Sequence, residues 1–168
     1  MRWLSLVFWI ALCLGVGALG GRWTAPEIGA WYRTLRKPFF NPPNWIFGPV
    51  WTLLYLLMAV AAWIVSQSGP STLRAAALGL FLAQLALNLA WSWIFFRRHA
   101  LGGALAEVLL LWLAIGATTL VFARVAPAAG WLLLPYWGWT SFASLLNAAI
   151  WRLNPNRTAA SHAQPHLP

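Results

Sequence analysis

Five long runs almost without charge constrain this chain more than any single motif. They cover residues 3–21, 45–66, 75–96, 100–123 and 130–151, and Glu107 is the only charged side chain inside them. A helix that crosses a bilayer needs about 20 consecutive apolar residues, and each run supplies that length. Periodicity does not separate a buried helix from a buried strand here, but run length does. The expected fold is an all-α integral membrane protein: one five-helix bundle over residues 1–154. Residues 155–168 are polar and contain proline, and they read as a disordered tail.

The formal net charge is +9, although charged residues make up only 8% of the chain. A nucleic-acid surface needs a contiguous basic face. Here the basic residues are scattered between apolar runs, so they report topology instead. Arg22, Arg33, Arg36, Lys37, Arg97, Arg98, Arg152 and Arg157 fall on one side of the runs, and Arg2, Arg74 and Arg124 on the other. The positive-inside rule then puts the N-terminus outside and the C-terminus in the cytoplasm. The first run also has the parts of a signal peptide: Arg2, an apolar core, and the small residues Ala18 and Gly20. Cleavage would leave the basic stretch 22–37 outside, against the charge rule, so a retained first helix in a cytoplasmic membrane is expected. Cys13 stands alone, which excludes an intrachain disulfide.

Residues 22–44 form the longest connection. Pro26, Pro38, Pro42 and Pro43 argue against a continuous helix there. Trp23, Trp31, Tyr32, Phe39 and Phe40 make the segment too aromatic for a purely solvated loop. It reads either as a cover packed over the bundle or as a segment lying on lipid.

Polar side chains at membrane depth are costly and turn toward the protein interior. Gln84 and Asn88 are four residues apart and share one helical face with Trp91 and Phe95. Ala75, Gly79 and Ala83 centre about 150° away at 100° per residue. The first face suits either a pocket or hydrogen-bonded helix packing. The small-residue face suits close helix contact, within the chain or with a second subunit. The second run aligns Phe47, Trp51, Tyr55 and Met58; the fifth aligns Tyr136, Trp139, Ala143 and Asn147. With the expected topology, Trp51, Tyr55, Asn88, Trp91, Ala143 and Asn147 converge at similar depth beneath the aromatic loop. Flat apolar faces with a few hydrogen-bonding groups are what a small-molecule pocket offers.

Catalytic chemistry is scarce. Glu27 and Glu107 are the only carboxylates, and Glu107 has Arg97 and Arg98 as candidate partners. No histidine lies inside a run, so a buried metal site or axial haem ligation is not expected. No histidine–carboxylate pair accompanies the serines and threonines of the runs, and no glycine-rich phosphate loop is present. Glu107 is the sole candidate for proton coupling within the membrane.

Three stretches carry a family resemblance: WYRTLRKPFFNPPNWIFGPVWTLLYLLM at 31–58, QLALNLAWSWIFF at 84–96 and PYWGWTSFASLLN at 135–147. They resemble the tryptophan-rich sensory protein/translocator protein (TspO/MBR) family, across all five runs. The block of Trp31, Tyr32, Lys37, Pro38, Pro42, Pro43, Trp45, Trp51, Thr52 and Tyr55 is the most specific part.

The resemblance implies a five-helix bundle, commonly dimeric, that binds porphyrins, benzodiazepine-site drugs and, in some members, sterols. It implies a pocket under the first loop lined by Tyr32, Phe47, Trp51, Tyr55, Gln84, Asn88, Trp91, Trp139, Ala143 and Asn147. It also implies a dimer contact through Ala75, Gly79 and Ala83. No tightly held cofactor is expected; a porphyrin is the expected ligand, and a sensor, scavenger or transport role follows. The alternatives are light-dependent porphyrin breakdown, with Trp51 and Trp139 as the relevant groups, or transport of sterol or lipid. The sterol pattern needs a tyrosine before the basic end of the fifth helix, and residues 148–152 contain none.

The chain has fourteen tryptophans. Trp3, Trp23, Trp131 and Trp151 lie near run ends, where indoles anchor at the lipid–water boundary. Trp31 and Trp45 are expected at the loop-side mouth of the pocket.

Overall fold

The computed structural model describes residues 2–155. Its regular elements are all helical: α1 (Arg2–Gly29), a short 3-10 turn (Tyr32–Thr34), α2 (Asn44–Gln67), α3 (Thr72–Ser92), α4 (Leu101–Val125) and α5 (Pro127–Leu153). α3 passes directly into a π turn, Trp93–Arg97. The expected tail lies outside the described residues, apart from Pro155.

Local signals set the helix ends. Ser71 caps α3 by accepting from the Arg74 backbone N–H at 3.1 Å. Pro127 opens α5 at a position where its missing N–H costs nothing. His99 takes φ 52°, a left-handed conformation uncommon for a residue with a Cβ, in the turn between α3 and α4.

The first connection is shorter than expected. α1 continues through Pro26 to Gly29, so the irregular segment spans 30–43 rather than 22–44. Pro26 removes one backbone bond, to the carbonyl of Arg22. Both residues are exposed near the helix end, so the chain tolerates the loss. Thr24 Oγ1 also donates to the Gly20 carbonyl at 3.0 Å, within that last stretch of helix.

α1, α2, α4 and the joined α3 segment are long and apolar enough to cross a membrane. α5 is comparable at 27 residues, but it is more polar. It carries Tyr136, Thr140, Ser141, Ser144 and Asn147, most of them turned inward. Neighbouring helices pack in the order α1–α2–α5–α4–α3 and back to α1, which closes a ring. The most extensive pairing joins α4 and α5. There Gly130 packs so close to α4 that an added Cβ would lie 2.6 Å from Ala123 Cβ. Small residues permit such approach, and close packing is the main attraction available to helices in lipid.

Ala75, Gly79 and Ala83 lie exposed on the outside of α3, and a Cβ built at Gly79 meets nothing. The small-residue face therefore does not pack within the chain. Trp3 and Trp131 are also largely exposed, as boundary anchors would be.

Candidate functional site

One cavity of about 600 Å³ lies between the helices at the loop end of the bundle. Binding pockets commonly enclose about 300–1,000 Å³. α2 supplies Phe47, Trp51 and Tyr55; α3 supplies Asn88 and Trp91; α5 supplies Trp139, Ala143 and Asn147; the loop supplies Tyr32. Of the ten residues expected to line a pocket, these nine do. Among the described residues, no charged side chain lines it.

The aromatic walls brace one another. Trp51 lies against Tyr55 at 5.7 Å between centroids and edge-on to Tyr136 at 6.2 Å. Phe47 meets Trp139 edge-on at 5.9 Å, and Trp91 stacks on Phe95 at 5.1 Å. Rings held this way cannot fold into the void, so flat apolar faces stay available. The π turn sets Phe95 and Phe96 side by side at 4.8 Å, both buried and both lining the cavity. Such turns recur at functional sites.

A polar chain closes the floor. Tyr55 Oη donates to Asn88 Oδ1 at 2.6 Å, and Asn88 Nδ2 donates to Tyr136 Oη at 3.0 Å. Tyr136 Oη in turn donates to Gln84 Oε1 at 2.9 Å. Gln84 is the one expected pocket residue that does not reach the cavity. It sits about 6 Å deeper along the helix axis than Asn88, beneath the tyrosines, where it joins α3 to α5. Gln84 and Asn88 share a face but differ in depth, and depth separates their roles. Beside the chain, Trp91 Nε1 donates to Asn147 Oδ1 at 3.3 Å, and Asn147 Nδ2 donates to the Leu101 carbonyl at 3.0 Å.

The loop is fastened as a cover, the first of the two readings of that segment. Asn154 Oδ1 accepts from the Arg36 backbone N–H at 3.1 Å, and its Nδ2 donates to the Arg36 carbonyl at 3.0 Å. This two-way clasp ties the loop to the end of α5. Glu27 meets His99 at 3.0 Å, and Trp31 stacks on the His99 ring at 4.1 Å. Trp31 therefore holds the cover and does not line the mouth, whereas Trp45 lines it as expected. Tyr32 Oη donates to Asn41 Oδ1 at 2.7 Å. Burial pushes the Tyr32 phenol up to about 12. The Lys37 ammonium lies 4.8 Å over the Tyr32 ring and donates to the Leu35 carbonyl at 3.2 Å. Burial lowers the Lys37 pKa.

Glu107 does not pair with Arg97 or Arg98. Both its carboxylate oxygens are buried and lack a hydrogen-bond partner among the described residues. Its side chain points into the bundle instead of reaching back to the helix end.

The sequence reading missed the α1 wall. Leu14, Gly17, Gly20, Gly21 and Thr24 line the cavity. Gly17 is required by a close approach: an added Cβ would lie 2.6 Å from Tyr55 Cε2. The signal was present in the small residues at 15, 17, 20 and 21. Asn154 was also missed, because it stands where the polar tail begins.

A closed ring of helices around an uncharged aromatic cavity, capped by a fastened loop, defines a multi-pass membrane protein with an internal cavity. The TspO/MBR family model matches residues 9–152, and the chain belongs to that family. It is 43% identical to the Tryptophan-rich protein TspO of Chlorobaculum tepidum, over 90% of this chain and 97% of that protein. It is 42% identical to the Translocator protein of Homo sapiens, over 89% of each. It is 39% identical to the Tryptophan-rich sensory protein of Cereibacter sphaeroides, over 95% of this chain and 98% of that protein.

Proposed function

We propose that the chain is a membrane receptor for porphyrins and related flat apolar molecules, acting in sensing, scavenging or transport. The sensory and translocator names of its relatives support the receptor role. The observation that carries the ligand class is the cavity itself, walled by Trp51, Trp91 and Trp139. Indole faces take a flat ring by stacking and burial. Asn88 and Asn147 each use one amide donor and one acceptor position in the bonds described. An amide carries two N–H groups, so each keeps one for a ligand.

Arg33 and Arg36 are exposed on the cover and suit acidic groups at a ligand's edge. Lys37 donates to the Arg33 and Leu35 carbonyls and keeps a third N–H for the same purpose. The cavity end carries Arg22, Arg33, Arg36, Lys37, Arg97, Arg98 and Arg152, while Arg2, Arg74 and Arg124 lie at the far end. That bias supports a cytoplasmic cavity end in a cytoplasmic membrane. The exposed face of Ala75, Gly79 and Ala83 supports a homodimer through α3.

Titration with protoporphyrin IX, followed by tryptophan fluorescence, tests the reading. Saturable quenching is expected. Trp51→Ala combined with Trp139→Ala should weaken binding at least tenfold. Unchanged affinity in that double variant sinks the assignment of the pocket. Light-driven porphyrin loss that vanishes in Trp51→Phe would add an enzymatic role.

A further inference from the structure

The loop side of the cavity and its side between α1 and α2 are built differently. The side under the loop is closed by the Asn154 clasp, the Glu27–His99 contact and the Trp31 stack. The side between α1 and α2 has no such fastening among the described residues. Its rim is Ala18, Gly21 and Ala25 on α1, with Trp45, Gly48 and Thr52 on α2, all of which line the cavity. All but Gly21 are exposed, and Trp45 is 74% exposed. A Cβ built at Gly21 or Gly48 meets nothing within 4 Å. The helices are adjacent here, yet small residues leave a gap.

The surface beside the gap is apolar. Leu19 is exposed on α1, as are Leu53 and Leu56 on α2, and both helices are long and apolar enough to cross a bilayer. A gap in such a surface opens onto acyl chains rather than water.

We infer that the cavity is loaded sideways, from the lipid leaflet at the loop end, through the gap between α1 and α2. The ligand class follows: a bilayer-soluble amphiphile that reaches the site edge-first from the membrane. A flat ring suits this slot, because its thin edge passes where a globular solute would not. The cover then keeps water out while the ligand moves within lipid. This inference rests on the receptor reading above and adds the route to it.

Proteoliposomes with protoporphyrin IX dissolved in the bilayer allow a test by stopped-flow tryptophan quenching. Gly21→Leu and Gly48→Leu add bulk at the gap from positions where a Cβ meets nothing within 4 Å, and leucine favours helix over glycine. Thr52→Leu gives a third, independent rim position. Circular dichroism and melting confirm folding. Association and dissociation should both slow about tenfold in the rim variants, while their ratio, at positions that border the cavity, moves by less than about threefold. Asn154→Ala, which frees the cover, should leave both rates within about twofold.

The opposite pattern overturns the route: unaltered rates in all rim variants, with acceleration in Asn154→Ala, means access beneath the cover. A tenfold change in affinity without matched rate changes places the rim in contact with bound ligand, and also overturns it, while the receptor reading stands. Absence of saturable quenching in the unmodified protein overturns the receptor reading and the route with it.

Discussion

At the end of the bundle away from the loop, Met58, Val65, Phe81, Phe122 and Leu133 are all buried to 1% exposure or less. In the loop half, Phe47, Trp51, Trp91 and Trp139 are only half-buried and surround a void. The same five helices produce both halves. Alanine, glycine and branched aliphatic residues let the far half close, as at Gly130 against Ala123. Indole and phenyl rings, braced edge against face, hold the near half apart. Between them lies the chain of Tyr55, Asn88, Tyr136 and Gln84, which fixes the depth at which closing stops. The floor of a membrane cavity is thus a polar layer, and its walls are rigid apolar plates.

Substitutions can break this contrast. The largest stability loss is expected from Phe122→Ala in the closed half, which removes a fully buried ring and should cost about 3–5 kcal/mol. Thermal melting in detergent checks it. Porphyrin affinity of the surviving folded fraction should hold, and a parallel loss of affinity would show that the halves are not independent.

Asn88→Ala comes next. It leaves the Tyr55 and Tyr136 hydroxyls without their shared partner, a loss of about 1–3 kcal/mol. Here both the melting temperature and the affinity should fall. A variant that melts normally would mean that the polar layer does not join the helices.

Gly17→Ala sharpens the boundary from the other side. Its Cβ would displace the Tyr55 ring, and overpacking of this kind costs about 1–3 kcal/mol. The decisive readout is rescue: Tyr55→Leu should relieve the clash in the double variant. If the two penalties simply add, the rings do not meet at this position.

The smallest effect concerns the cover. The Tyr32 phenol sits raised to about 12, against about 10 for a free tyrosine. Its contribution is complete below pH ~10 and is lost as pH rises through about 12. Hydrogen exchange of residues 30–43 should therefore be flat up to pH ~10, once corrected for intrinsic base catalysis, and protection should fall above it. Tyr32→Phe should abolish the step while leaving the far half protected. A step that persists in Tyr32→Phe assigns it elsewhere.

Legibility followed physical scale. Helix number was readable because crossing a bilayer demands long uncharged runs. Which faces carried Trp51, Asn88, Trp91 and Asn147 was readable because helical spacing is regular. Gln84 was misplaced because a shared face says nothing about depth along the axis. The end of α1 was misplaced because proline statistics favour a break, and an exposed position near a helix end tolerates Pro26. The Asn154 clasp joins residues 118 apart in sequence, and no local pattern announces such a pair.

By itself the sequence determined the membrane class, the helical architecture and the aromatic character of one end. Those depend on transfer free energy and on periodicity, which are properties of a segment. Only the tertiary structure decided where the helices stop closing, which amide faces the cavity, how the cover is tied, and where α1 and α2 leave a gap. Those depend on which side chains meet across helices, and small or flat residues have opposite consequences according to what stands opposite them.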